Sequence, residues 1–297
     1  MKLHAINTGY FKLDGGAMFG VVPKTIWNKL NPADENNLCS WAMRSLLIED
    51  GNRLILIDNG IGNKQDAKFF GHYHLHGNDS LEKSLAAKGF SKNDITDVIL
   101  THLHFDHCGG SIKRVGDKLV PAFKNAVFWS NELHWISATE PNAREKASFL
   151  KENILPIEES GQLKFIDYPA KAHQHEGWVG VNPFLLQEAR FSDNLSVLFV
   201  DGHTTGMMLP KIQYKGKTIV YVADLLPAVA HLPIPYVMAY DMFPLTTLNE
   251  KEIFLQQALE NNYVLFFEHD PLIECCTVHL TEKGIRHKDI LKLEEVV

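Results

Sequence analysis

Residues 101–110 read THLHFDHCGG, which places His102, His104, Asp106 and His107 within six positions. Imidazole nitrogen and carboxylate oxygen are ordinary donors to Zn2+. Donors on one short segment become a metal site only if the rest of the chain supplies partners. Three further apolar runs do so: LSVLFVDGH (195–203) ends in His203, TIVYVAD (218–224) ends in Asp224, and YVLFFEHD (263–270) carries His269. The resulting set of five His and two Asp is too large for one tetrahedral ion. Two ions about 3.5–4 Å apart that share a carboxylate and a hydroxide accommodate all seven. In an extended segment alternate residues point the same way, so His102 and His104 can face one ion, while Asp106 and His107, past a bend, face the other.

The elements that must position these donors are legible as continuous Val-, Ile-, Leu- and Phe-rich runs. RLILID (53–58), DVILTH (97–102) and AVFWS (126–130) join the three runs above. Runs of this length read as strands covered on both faces, and ligands commonly gather beyond the carboxyl ends of such strands. Helical patterns lie between them: SLEKSLAAKGF (80–90) with Gly89 as its stop, SNELHWISA (130–138) with Ser130 as its N-cap, and TTLNEKEIFLQQALENN (246–262). Residues 171–194 read as loop or short strands. The alternation predicts an α/β fold, and without repeats or linkers residues 1–297 read as one domain.

The ordered set resembles the metallo-β-lactamase superfamily, whose H-x-H-x-D-H motif is matched by His102, His104, Asp106 and His107. The family's later ligands are matched by His203 in DGHTTG, Asp224 in VADLL and His269 in FEHD. The resemblance implies a four-layer αββα sandwich. It implies one metal on His102, His104 and His203, a second on Asp106, His107 and His269, and Asp224 as the bridge. The acidic residue of the family's early motif is matched by Asp58 in LIDNGIG, which either caps a turn or orients the ligands. DGGAMFGVVPKTIW (14–27) and YVMAYDMFPLT (236–246) are similar to the N-acyl homoserine lactonase and organophosphate hydrolase branch. The first of these reads either as a hairpin packed in the core or as an apolar loop lining a pocket.

A single His at a strand end is ordinarily structural; only the joint set indicates metal. HYHLH (His72, His74, His76) has strand-like spacing but no interleaved carboxylate or cysteine, and reads as a loop at the pocket mouth. AHQH (His173, His175) reads the same way, and Cys108 reads as a small packing residue.

Composition narrows the function. Of 297 residues, 45% are hydrophobic and 22% charged, as in soluble proteins, and the net charge of −7 without a dense basic run argues against nucleic acid. Four cysteines without a C-x-x-C pair, no signal-peptide pattern and no membrane-length apolar run lead to the expectation of a cytoplasmic protein with no membrane partner.

The expected activity is that of a dinuclear hydrolase holding two Zn2+ or other divalent ions. The resemblance points to a quorum-quenching lactonase that opens N-acyl homoserine lactones by attack of a metal-bridging hydroxide. The alternative is a phosphotriesterase or another metal-dependent esterase. A metal-binding module without catalysis is disfavoured, because structural zinc sites are closed by four ligands. Asp106 and Asp224 are expected to serve catalysis as well as ligation. Lactonases of this fold carry a Tyr shortly after the bridging Asp; here Leu225, Leu226 and Pro227 follow Asp224. Tyr221 lies at an odd offset, which leaves His231, Tyr236 and Tyr240, and His231 is the expected proton donor to the substrate. The exposed apolar content of 14–27 predicts a homodimer acting on a small hydrophobic ester.

Overall fold

Successive side chains of a strand point to opposite faces, and this alternation builds two apolar layers in the computed structural model, which describes residues 1–169 and 186–296. One sheet runs in the order β1 (Lys2–Asp14), β2 (Leu38–Asp50), β3 (Arg53–Ile57), β4 (Asp97–Ile99), β7 (Val127–Ser130) and β8 (Leu163–Phe165). Leu46, Ile48, Ile55, Ile57 and Ile99 of this sheet join the core shared with the second sheet. Leu47, Leu54, Leu56, Val98 and Phe128 instead join a separate core with Leu81 and Leu85 of α4 (Leu81–Ala87), Trp135 of α6 (Glu132–Thr139), and Ile154 and Ile157 of α7 (Lys151–Glu159).

The second sheet runs β15 (Gly284–Leu291), β14 (Cys275–Thr281), β13 (Val264–Phe266), β12 (Lys217–Tyr221), β11 (Met207–Tyr214), β10 (Leu195–Val200) and β9 (Gln187–Arg190). Helix α8 (Pro244–Glu260) lies against β14 and β15 and contributes Phe254, Leu255 and Ala258 to the core. A hairpin of β5 (Ile112–Val115) and β6 (Lys118–Pro121) stands apart from both sheets. Helix, sheet, sheet and helix stack as the αββα sandwich.

Strand direction decides where the donors go. β3 and β4 are parallel, as are β12 and β13, and β10 runs with β12 because β11 is antiparallel to both. The two sheets meet at these carboxyl ends: Ala42 N donates to His269 O at 3.1 Å and Met208 N to Thr101 O at 2.9 Å.

All six apolar runs form strands. The described strands without such a run are β1, β2, β5, β6, β8, β9, β11, β14 and β15. β1, β14 and β15 mix exposed and partly exposed residues along their length, so no continuous apolar run marks them.

Local expectations change at three places. The cap of α6 is Asn131, whose side chain accepts from His134 N at 2.9 Å, rather than Ser130, because Ser130 completes β7. Residues 14–27 form neither hairpin nor open loop but two short helices, α1 (Gly15–Phe19) and α2 (Lys24–Trp27). They bury Met18, Phe19 and Trp27, and Gly15 is required there, since a Cβ would meet the Trp27 ring at 2.4 Å. The HYHLH residues do not alternate on a strand. His72 lies on α3 (Ala67–Tyr73), His74 is its left-handed cap at φ 46°, and His76 Nε2 is 2.7 Å from Ser40 Oγ. His173 and His175 lie outside the described residues. Among the described residues, no helix is long and apolar enough to cross a membrane.

The two glycines that end THLHFDHCGG are set by a close backbone approach. A Cβ on Gly109 would lie 2.2 Å from Ile61 O, and one on Gly110 2.3 Å from Asn59 O. Gly109→Ala is expected to lower stability by about 1–3 kcal/mol, read as a lower urea midpoint at unchanged slope. An unchanged midpoint would show that the two backbones part without cost.

Candidate metal centre

After β4 the chain stays extended through His104 (φ −63°, ψ 151°) and then closes into a single helical turn, α5 (Phe105–Cys108). That turn is the bend which divides the motif. His102 Nε2 is 3.0 Å from His104 Nδ1, which is 3.2 Å from His203 Nε2. Asp224 Oδ2 lies 3.1 Å from His203 Nε2 and 3.8 Å from His102 Nε2. On the other side of Asp224, His107 Nε2 and His269 Nε2 are 3.1 Å apart, and each is 3.7 Å from Asp106 Oδ2. Asp224 reaches this group too, with Oδ1 3.1 Å from His269 Nε2 and Oδ2 3.5 Å from His107 Nε2. The structure thus brings together all seven residues singled out in the sequence, as two groups meeting at Asp224.

The outer nitrogen of each imidazole shows what the inner ones carry. His269 Nδ1 is 2.7 Å from Ala42 O, His203 Nδ1 2.8 Å from Asp241 Oδ1, and His104 Nε2 3.3 Å from Glu145 Oε1. His107 Nδ1 faces two carboxylates, Glu268 Oε2 at 2.9 Å and Asp58 Oδ2 at 3.2 Å. His102 Nδ1 is 3.1 Å from Thr101 Oγ1, whose hydrogen goes to Asp58 Oδ2 at 2.7 Å. These partners are acceptors, so the outer nitrogens carry the hydrogens and the inner ones present lone pairs. Lone pairs 3.0–3.2 Å apart repel unless a cation lies between them. An ion held about 2.0–2.1 Å from tetrahedral donors separates them by about 3.3–3.4 Å, close to the spacings found. The donor set fits a pair of divalent cations.

The electrostatics agree. Burial opposes the charge on Asp224, but His107, His269 and His203 around it hold the carboxyl well below the usual range. Burial likewise opposes protonation of His203 and His269, yet Asp224 pushes them up to about 10 and 9. The buried pocket attracts positive charge.

Of the residues that support the donors, Asp58 was legible in the sequence and Glu145, Asp241 and Glu268 were not. Asp58 also accepts from Thr101 N at 2.8 Å and sits at φ 53°. Glu268 is adjacent to His269, but nothing in the chain marks Glu145. His134 is a second unforeseen residue. Its Nε2 accepts from Leu103 N at 2.8 Å and its Nδ1 donates to Thr205 O at 2.7 Å, so a neutral ring ties the 102–107 segment to the His203 turn. Burial keeps it neutral by lowering its pKa to about 4. Cys108 is fully buried with Sγ donating to Leu103 O at 3.2 Å, as expected of a packing residue.

His231 is not brought to the donor cluster. Its Nε2 donates to Met18 O at 2.9 Å, and its ring stacks on Phe19 with centroids 4.6 Å apart. Burial lowers its pKa to about 3, so its other nitrogen has no hydrogen to give. This corrects the expectation of a proton donor: the N–H is already used within the fold. Tyr221 points into the core, donating to Arg44 O at 2.9 Å, and Tyr236 packs edge-on against Phe19 at 6.4 Å. Tyr240 is 40% exposed and immediately precedes Asp241.

No curated protein matches the chain. Among solved structures it is similar to a probable metal-dependent hydrolase from Staphylococcus aureus, at 27% identity and a TM-score of 0.84 over 100% of this chain and 98% of that one. It also shares its fold with AidC, a dizinc quorum-quenching lactonase in complex with a product, at 22% identity and a TM-score of 0.73 (98% and 95% covered). A third neighbour is AbOPH, a hydrolase in the β-lactamase superfamily, at 20% identity and a TM-score of 0.74 (98% and 94% covered). The family model for the metallo-β-lactamase superfamily matches residues 44–269, the span that contains every donor described above. With that match over most of its length, the chain belongs to the metallo-β-lactamase superfamily and is a metal-dependent hydrolase.

Proposed function

We propose that the chain is a dinuclear zinc lactonase that opens N-acyl homoserine lactones. The observation that carries the reading is the convergence of seven buried donor residues into two groups, with Asp224 in the first and 3.1 and 3.5 Å from His269 and His107 of the second. His102, His104 and His203 would hold one ion, Asp106, His107 and His269 the other, and Asp224 both. When bound, such a pair lowers the pKa of water and stabilises negative charge on a substrate oxygen.

The chain's own residues prepare that chemistry. Asp58, Glu145, Asp241 and Glu268 fix the imidazoles from behind, so the donors need not reorganise. Beside Asp106, the Phe105 ring packs against Phe69 at 5.4 Å and Tyr73 at 4.6 Å. This wall is partly exposed and suits an acyl chain. AidC's bound product, an N-acyl homoserine, supports the lactone among possible esters. The phosphotriester alternative rests on the same pocket and on the likeness to AbOPH.

The assembly reading is a homodimer in a reducing, cytoplasmic setting. Most apolar side chains of 14–27 are used by the chain's own core, but Val21 is 93% exposed, with Ile26 and Leu30 about half exposed nearby in sequence. Such a ridge favours a second copy. The four cysteines are buried and free.

Protein purified without chelator is expected to hold close to two zinc ions per chain, measured by elemental analysis. Asp224→Ala should fall toward one or none with the fold intact by circular dichroism. A wild-type value of one after zinc reconstitution would remove the dinuclear reading. N-hexanoyl homoserine lactone and a chromogenic phosphotriester assayed side by side should show turnover mainly of the lactone, abolished by chelation and restored by zinc. Preference for the phosphotriester would reverse the assignment. Light scattering at micromolar concentration should give a dimer mass that Val21→Asp reduces to a monomer; a wild-type monomer would refute the dimer.

A further inference from the structure

The loop that carries His203 is held by α8. Glu250 of that helix is nearly fully buried. It accepts from Asp201 N at 2.7 Å through Oε1 and from Gly202 N at 3.0 Å through Oε2. Just ahead of the helix, Phe243 N donates to Gly202 O at 2.8 Å and Met242 N to His203 O at 3.0 Å. Gly202 is required at this contact, because a Cβ would lie 2.3 Å from Thr247 N.

Lys251 is next along the helix and fully buried, and successive helical residues point in different directions. Its Nζ donates to Pro233 O at 3.0 Å and to Tyr236 O at 2.8 Å. That segment runs on to Asp241, whose Oδ1 lies 2.8 Å from His203 Nδ1. Among the described residues, no side-chain hydrogen bond of α8 reaches Asp106, His107 or His269. Burial opposes both charges. With the Asp201 charge beside it, burial pushes the Glu250 carboxyl up to about 8, and burial pushes the Lys251 ammonium down to about 7. Apolar side chains of similar size would meet no such cost, and Phe254 and Leu255 fill core positions of the same helix in that way. Hydrogen bonds to charged groups are shorter and stronger than neutral ones. What the two charges supply is a firm hold on two main-chain segments.

We propose that Glu250 and Lys251 are positioning residues for the ion that His102, His104 and His203 would hold. Glu250 fixes the loop that aims His203, Lys251 fixes the segment that brings Asp241 behind it, and α8 joins the two. The affinity for this ion depends on α8, and the affinity for the ion at Asp106, His107 and His269 does not. The inference rests on the dinuclear reading of the centre and is independent of the substrate.

The test titrates zinc into metal-free protein against a competing chromogenic chelator, at a pH above the raised Glu250 value, to obtain a dissociation constant for each ion. Glu250→Gln loses one of two acceptors and should raise one constant about 10–100-fold, with the other within about threefold. Lys251→Met should raise the same constant about tenfold, and it decides the matter if Glu250→Gln does not fold. His269→Ala keeps His102, His104 and His203, whereas His203→Ala keeps Asp106, His107 and His269. Glu250→Gln should weaken the remaining ion in the first background and leave it unchanged in the second. Phe254→Leu, a core change in the same helix, should lower the melting temperature with both constants unchanged. Equal weakening of both ions, or unchanged constants in the folded variants, would overturn the assignment and leave the dinuclear reading standing. A wild type that takes up one ion in excess zinc would remove the dinuclear reading, and the assignment with it.

Discussion

The structure depends on a repulsion that the protein is built to maintain. Five imidazoles aim lone pairs at one another and at two carboxylates across gaps of 3.0–3.8 Å. They cannot turn away, because each outer N–H is tied to a carboxylate, a hydroxyl or a main-chain carbonyl. Cations between these atoms would turn the repulsion into attraction, and rings already fixed from behind need not reorganise to hold them. The partners are themselves buried. Asp58 and Glu268 are fully enclosed and Asp241 nearly so, which keeps water from screening them and strengthens the hold on the rings.

Holding the cluster requires both sheets. β3 and β4 deliver Asp58 and the 102–107 segment, while β10, β12 and β13 deliver His203, Asp224 and His269. The sheets would slide apart at this edge were they joined only by apolar contacts, which have no direction. Directional bonds prevent this. His134 ties Leu103 N to Thr205 O, and Ala42 exchanges two bonds with His269 through N–H to O and carbonyl to Nδ1. Arg44, nearly fully buried, adds bonds from its guanidinium to the carbonyls of Phe267, Asp270 and Ile273. The ligand loops are thus rigid for the same reason that the two sheets keep their register.

The substrate side is arranged differently. Beside Asp106 the side chains are aromatic and partly exposed, with Phe69 and Tyr73 of α3 packed on Phe105. The 14–27 stretch, which resembles a pocket-lining loop in sequence, does its work one layer beneath. Phe19 stacks on Trp27 and on His231, and Ala17 O accepts from Ala239 N. A histidine whose type and position suggested proton transfer is part of that support.

By itself the sequence determined the sheet strands covered on both faces, the order of the seven donors and their division at a bend. These depend on local properties: a continuous apolar run can only be buried, and a His or Asp at its carboxyl end is carried wherever the strand points. Asp58 was legible for the same reason, since it ends the RLILI run. Tertiary structure alone decided which groups stand behind the rings, because Glu145 and Asp241 lie 41 and 38 residues from the histidines they hold. It also decided between donor and acceptor at His231. That choice follows from one carbonyl, Met18 O, contributed by a helix 213 residues away, and no local pattern encodes which hydrogen bond a buried imidazole has already made.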